Sequence, residues 1–190
     1  MATVAPERTV GPALDIKVID VDTHLSEPED LWTSRAPAKF RDRVPQMTMV
    51  DGEPIWIIDG KHKIAAGSSS TFYKDGRPAD GLEYVSWRLA DVLASAYDTK
   101  ERVKLIDQLG IHAQIIYPNV IGFGGQNTAK VDPELRLVSV QIYNDAMAEL
   151  QEESGNRLYP IASLPWWDIK EAVRETERAH DAGQIGIAHV

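Results

Sequence analysis

Apolar positions in this chain follow two rhythms, one of two residues and one of three to four, and from residue 98 onward the rhythms alternate. Val103, Ile106 and Leu109 share a helical face that Asp98 and Glu101 open as a capping box and Gly110 closes. The apolar run 111–117 then has the length of a buried strand and stops at Pro118. Asp132-Pro133 opens a second helix with Leu135, Val138, Ile142, Ala146 and Leu150 as its stripe, closed by Gly155. Residues 158–164 form the next strand, ended by Pro165. Asp168 with Glu171 opens a third helix carrying Val173, Thr176 and Ala179 to Gly183, and residues 184–190 begin a further strand.

The earlier part of the chain is less regular. Residues 18–24 read as a strand with Asp20, Asp22 and His24 on one face and Ile19, Val21 and Thr23 on the other. Pro28 with Glu29-Asp30-Leu31-Trp32 suggests a turn or helix start. Two β-prone runs flank Asp59-Gly60 and predict a hairpin inserted over 50–66. Loop chemistry fills Gly67-Ser68-Ser69-Ser70 and Asp75-Gly76-Arg77-Pro78, and Val85, Leu89, Val92, Leu93 and Ala96 recur at helical spacing. Alternating strands and helices predict an α/β fold, with about four parallel strands joined by right-handed crossovers. Periodicity alone leaves open whether the sheet is flat or curved into a barrel.

The 190 residues, 43% hydrophobic and 26% charged, suit one globular domain, residues 16–190, behind a flexible polar tail, residues 1–15. A net charge of −9 argues against nucleic acid or an anionic membrane surface as a partner. With no cysteine, thiolate metal sites and thiol nucleophiles are excluded, and a cytoplasmic protein is expected. No apolar run has the length of a membrane span.

Chemistry in a parallel α/β fold collects beyond the carboxyl ends of the strands. Asp22, His24 and Glu27 lie there after the first strand, Asn119 after the second, and Trp166-Trp167 after the third. A carboxylate and an imidazole two residues apart on a strand can share one divalent cation. The other reading is a solvated alternation on an edge strand. Glu27 and Asn119 are candidate substrate-binding residues, and Trp166 with Trp167 forms either an aromatic substrate wall or a core patch. Arg35, Arg41 and Arg43 are candidate carboxylate clamps. His62 and His180 are read as solvated, His112 as structural and His189 as packed. Gly122-Phe123-Gly124-Gly125 lacks the lysine of a phosphate loop, and its glycines are read as flexibility. With no Gly-x-Ser-x-Gly elbow, metal-assisted chemistry is the remaining expectation.

Three ordered segments carry a family resemblance. Ile19-Asp20-Val21-Asp22-Thr23-His24-Leu25-Ser26-Glu27-Pro28 followed by Asp30-Leu31-Trp32 resembles the opening of the amidohydrolase-related family that includes aminocarboxymuconate-semialdehyde decarboxylase. Leu105-Ile106-Asp107-Gln108-Leu109-Gly110-Ile111 with Tyr117-Pro118, and Arg157-Leu158-Tyr159-Pro160-Ile161-Ala162-Ser163-Leu164-Pro165, look like its second and third strands. The resemblance implies a metal-dependent TIM-type (β/α) barrel enzyme, a hydrolase or a decarboxylase (carboxy-lyase) of a small carboxylated, aromatic-type substrate. It implies metal-ligand roles for Asp22 and His24, toward zinc or manganese, with an aspartate in place of the family's commoner first histidine. The family's remaining ligands and its acid–base histidine come from later strands. The chain is therefore expected to be the amino-terminal half of such a barrel, incomplete in its catalytic set and completed by a carboxyl-terminal half or a second copy. The alternative is a non-catalytic α/β module or an inactive fragment that needs a partner chain.

Overall fold

A computed structural model describes residues 16–122 and 125–188. The expected tail and His189 lie outside the described residues. Four parallel strand segments appear in chain order. β1 (Val18–His24) pairs with β5 (Ile111–Tyr117), and β5 pairs with β6 (Leu158–Pro160). β7 (Ala162–Ser163) then pairs with β8 (Ile187–Ala188). Ile161 separates β6 from β7, yet its N–H donates to the Ile116 carbonyl at 3.0 Å, so the two form one continuous extended segment. Each neighbour is reached through a helix: α1 (Thr99–Gln108), α2 (Pro133–Glu153) and α3 (Ile169–Asp181).

The helix boundaries follow the chemistry of their ends. Asp98 accepts from the Glu101 N–H, Asp132 from the Glu134 N–H, and Asp168 from those of Lys170 and Glu171. Gly110, Gly155 and Gly183 just beyond the three helices all take positive φ, which a residue without a Cβ adopts at least cost. The stripes are less regular than their spacing. Leu109 is 63% exposed and Val173 54%, whereas Glu175 of α3 is buried. Glu175 is compensated by Asn144 Nδ2 at 2.6 Å and by Arg178, which binds both of its oxygens.

Between β1 and α1 lies the insertion. It is larger than the expected hairpin: β2 (Gln46–Val50), β3 (Glu53–Ile58) and β4 (His62–Ala66) form a three-stranded antiparallel sheet. Both turns are Asp-Gly pairs with positive φ, Asp51-Gly52 at 53° and 86° and Asp59-Gly60 at 57° and 68°. Side chains of this sheet pack in one core with those of α2. Leu135, Val140, Tyr143 and Met147 join Trp32, Phe40, Trp56 and Ile58 in the main core, while Ile106, Ile116, Leu158 and Leu25 fill a smaller one between helices and parallel sheet. Trp32 is fully buried, meets Trp56 edge-on at 5.4 Å, and donates its indole N–H to the Ser139 carbonyl at 2.9 Å.

The helix suggested by Val85 to Ala96 is absent. Three short 3-10 turns, Glu83–Ser86, Leu89–Asp91 and Ala94–Ala96, stand in its place. Their backbone is drawn to other partners: Lys74 N–H donates to the Asp91 carbonyl at 2.8 Å and Ser26 N–H to the Ala96 carbonyl at 2.7 Å. Those long-range bonds compete with the intrahelical ladder and win.

Candidate metal and substrate site

β1 is an edge strand and is not evenly pleated. Asp20 sits opposite Gln114, but Thr23 sits opposite Ile116 and His24 opposite Tyr117, so three steps of β1 run beside two of β5. The extra residue resets the alternation. Asp20 therefore shares a face with Gln114, whose amide donates to it at 2.8 Å. His24 shares the opposite face with Tyr117, the ring centroids 6.0 Å apart. The expected single face of Asp20, Asp22 and His24 is corrected accordingly. Asp20 is separated from the pair, and its other oxygen accepts the Asp22 N–H at 3.2 Å.

Asp22 is exposed and His24 half-buried, and both line a cavity of about 390 Å³ at the carboxyl end of β1. Among the described residues, no three His, Cys, Asp or Glu side chains are placed to hold one metal ion. The pair offers an oxygen and a nitrogen donor of ordinary cation-binding chemistry, so the donor types fit a divalent ion, with two candidate ligands. Arg102 of α1 fixes the backbone behind the pair. It donates to the His24 carbonyl at 2.9 Å, the Ser95 carbonyl at 2.6 Å and the Thr23 hydroxyl at 3.5 Å.

Glu27 and Asn119 are turned toward each other. The Glu27 carboxylate accepts the N–H of Asn119 at 2.8 Å, that of Val120 at 3.2 Å and the Asn119 side-chain amide at 3.3 Å. The Asn119 amide also donates to the Leu25 carbonyl at 2.8 Å. Both residues are buried, so the two strand-end loops are latched together, and these polar groups face one another instead of an open cavity. Burial raises the Glu27 carboxyl above its ordinary value against the lowering effect of its hydrogen bonds. Tyr143, buried beside that charge, is raised well above the usual phenol value.

Trp166 and Trp167 meet edge-on at 5.7 Å beyond β7. The Arg136 guanidinium lies 3.8 Å from the Trp167 ring centroid, and the space beside them is only about 20 Å³, the size of one water. This is a packed cation–π cluster with one partly exposed indole, too tight as it stands to be an aromatic substrate wall. Of the candidate clamps, Arg35 forms a two-pronged pair with Glu149 and Arg43 pairs with Asp59 at 2.7 Å, while Arg41 is exposed. His112 and His180 are exposed, and His62 is half-buried with its Nε2 covered rather than solvated. Gly122 serves close approach: a Cβ there would lie 2.3 Å from the Pro118 carbonyl oxygen.

Arg102 was not anticipated. Its only sequence signal is an arginine one turn into a helix that follows the metal-type motif, and helix arginines are ordinarily solvated.

No protein-family model matches the sequence, and no curated protein matches it. Solved structures do. An amidohydrolase from Mycobacterium avium subsp. paratuberculosis is 23% identical with a TM-score of 0.61, covering 90% of this chain and 48% of its own. A 2,6-dihydroxybenzoate decarboxylase from Rhizobium is 18% identical with a TM-score of 0.46, covering 90% of this chain and 37% of its own. A dihydroxybenzoic acid decarboxylase from Polaromonas, solved with manganese and the inhibitor 2-nitroresorcinol, is 20% identical with a TM-score of 0.46 and the same coverage. The chain has an amidohydrolase-type fold, in agreement with the resemblance read from its sequence, and spans about half the length of the amidohydrolase it matches.

Proposed function

We propose that this chain forms the metal-binding part of an amidohydrolase-type (β/α) barrel enzyme, a carboxy-lyase or hydrolase of a small carboxylated substrate. The observation that carries the reading is the pairing of Asp22 and His24 on one cavity at the carboxyl end of the first strand, within a fold shared with an amidohydrolase. A divalent cation, zinc or manganese, when bound supplies a Lewis acid for a substrate oxygen or lowers the pKa of a water. The residues of this chain hold and orient: Asp22 and His24 donate to the ion, Arg102 pins the His24 backbone, and the Glu27–Asn119 latch fixes the two strand ends beside it. Two ligands hold an ion weakly, since catalytic zinc ordinarily has three from protein. Further ligands and the proton-moving histidine are assigned to a carboxyl-terminal half or a partner chain.

Titration of the purified chain with Mn or Zn, followed by calorimetry, tests this. Weak binding that Asp22→Asn and His24→Ala each abolish is the expected result, with negligible turnover by the isolated chain. Tight stoichiometric binding that survives His24→Ala overturns it.

A second reading, a non-catalytic module that binds a partner through its sheet edge, is favoured by one observation. Val18, Ile19 and Val21 on β1 are all at least half exposed. It predicts equal thermal stability with and without added metal, whereas a metal-dependent rise supports the enzyme reading.

A further inference from the structure

A second cavity, of about 450 Å³, lies between the loop after β1, the start of α1 and the second half of α2. Ser26 lines both this space and the Asp22–His24 cavity, so the two share one loop as a wall. Its size is that of a small-molecule site. Its apolar lining joins the two cores: Leu31, Ala146 and Met147 belong to the main one and Leu25 to the smaller, and Leu150 packs against both. The polar lining sets three carboxylates, Asp30, Glu149 and Glu153, against one guanidinium, that of Arg35. Arg35 is already committed to Glu149, with contacts of 2.9 and 2.6 Å. Glu153 meets Lys100 at 3.7 Å, and the exposed Asp30 carboxylate has no ion pair or hydrogen bond among the described residues. Thr99, only 8% exposed, lines the same space, and its hydroxyl has no hydrogen-bond partner among the described residues. A buried hydroxyl left unpaired forfeits a bond that water or a ligand can supply.

We propose that this cavity binds a primary ammonium carried on a short apolar body. Asp30 and Glu153 supply the negative charge, the Thr99 hydroxyl accepts an N–H, and Leu31, Met147 and Leu150 hold the body. An ammonium presents three donors and no acceptor, which suits two carboxylates and a hydroxyl. An anion is disfavoured, because the one lining cation is neutralised by Glu149 and negative charge remains in excess. A bare metal ion is disfavoured by the apolar lining and by the lack, among the described residues, of any three carboxylate or imidazole groups placed around one point. Asp22 and His24 do not line this space, so the inference stands apart from the metal reading.

Phenethylamine, its neutral isostere 2-phenylethanol and the anion phenylacetate are titrated into the full chain in the presence of a chelator, with binding followed by NMR or calorimetry. The amine is expected to bind at least about tenfold more tightly than either competitor, and to weaken as salt is added. Asp30→Asn lowers the amine to the level of the alcohol. Thr99→Val weakens it, and Asp22→Asn leaves it in place. Circular dichroism establishes that each variant folds. Should Asp30→Asn not fold, Ser34→Lys takes its place, setting a tethered ammonium at an exposed lining position. Equal affinity for the amine and the alcohol, or tighter phenylacetate than phenethylamine, overturns the site. Amine binding unchanged by Asp30→Asn, or lost in Asp22→Asn, overturns it as well.

Discussion

At the scale of single residues, burial decides what each polar group does. Glu27 is the sharpest instance, because its carboxylate is covered and yet accepts three N–H groups. Its folded-state pKa is raised, so folding favours the protonated form. The contribution is fully present below the ordinary glutamate value and is lost as pH rises through the raised one. Glu27→Gln removes that titration while keeping the shape. Thermal melts from about pH 4 to about pH 8 should show the variant gaining on the wild type as pH rises. A pH-independent difference between the two proteins would show that Glu27 is charged at no cost in the folded state.

At the scale of elements, the Gly122 turn gives a second test. Gly122→Ala sets a Cβ against the Pro118 carbonyl oxygen, and backbone cannot swing aside as a side-chain tip can. The loss should be about 1–3 kcal/mol in denaturant unfolding, with the chain beyond β5 displaced. Sequence reading took this glycine for flexibility, since a close approach to a residue four positions away leaves no mark in composition. By contrast, α1, α2 and α3 were legible because capping aspartates and closing glycines are local signals. β2 was missed although Asp51-Gly52 is the same dipeptide as the recognised Asp59-Gly60; Gln46-Met47-Thr48-Met49-Val50 has only two β-branched residues, Thr48 and Val50, diluted by glutamine and methionines. The segment 83–96 was misread because its apolar spacing is helical while its hydrogen bonds are long-range. Of the candidate site, the Asp22–His24 spacing is readable in the sequence, whereas the reset of alternation before Thr23 and the Arg102 hydrogen bonds depend on the neighbouring strand and helix.

At the scale of the whole molecule, the parallel sheet is open along β1. Ile19 and Val21, 52% and 62% exposed, stand on a strand bonded to β5 alone among the described strands. Such an edge templates pairing with another chain. Ile19→Lys with Val21→Lys should shift the chain toward monomer in size-exclusion chromatography with light scattering, with little change in melting temperature. An unaltered elution profile would mean that association, if present, uses another surface. No described helix is long and apolar enough to cross a membrane.

The reset within β1 also bears on which small deletions the gene tolerates. Loss of the codon for Val21 would leave Asp22 beside Ile115, Thr23 beside Ile116 and His24 beside Tyr117, returning the pairing from Asp20 onward to one-for-one with the aspartate and histidine still two apart. Loss of the codon for Thr23 would make them adjacent and throw them to opposite sides of the sheet. If Asp22 and His24 hold a cation as proposed, two lesions of equal size, two codons apart, should therefore differ sharply in metal binding.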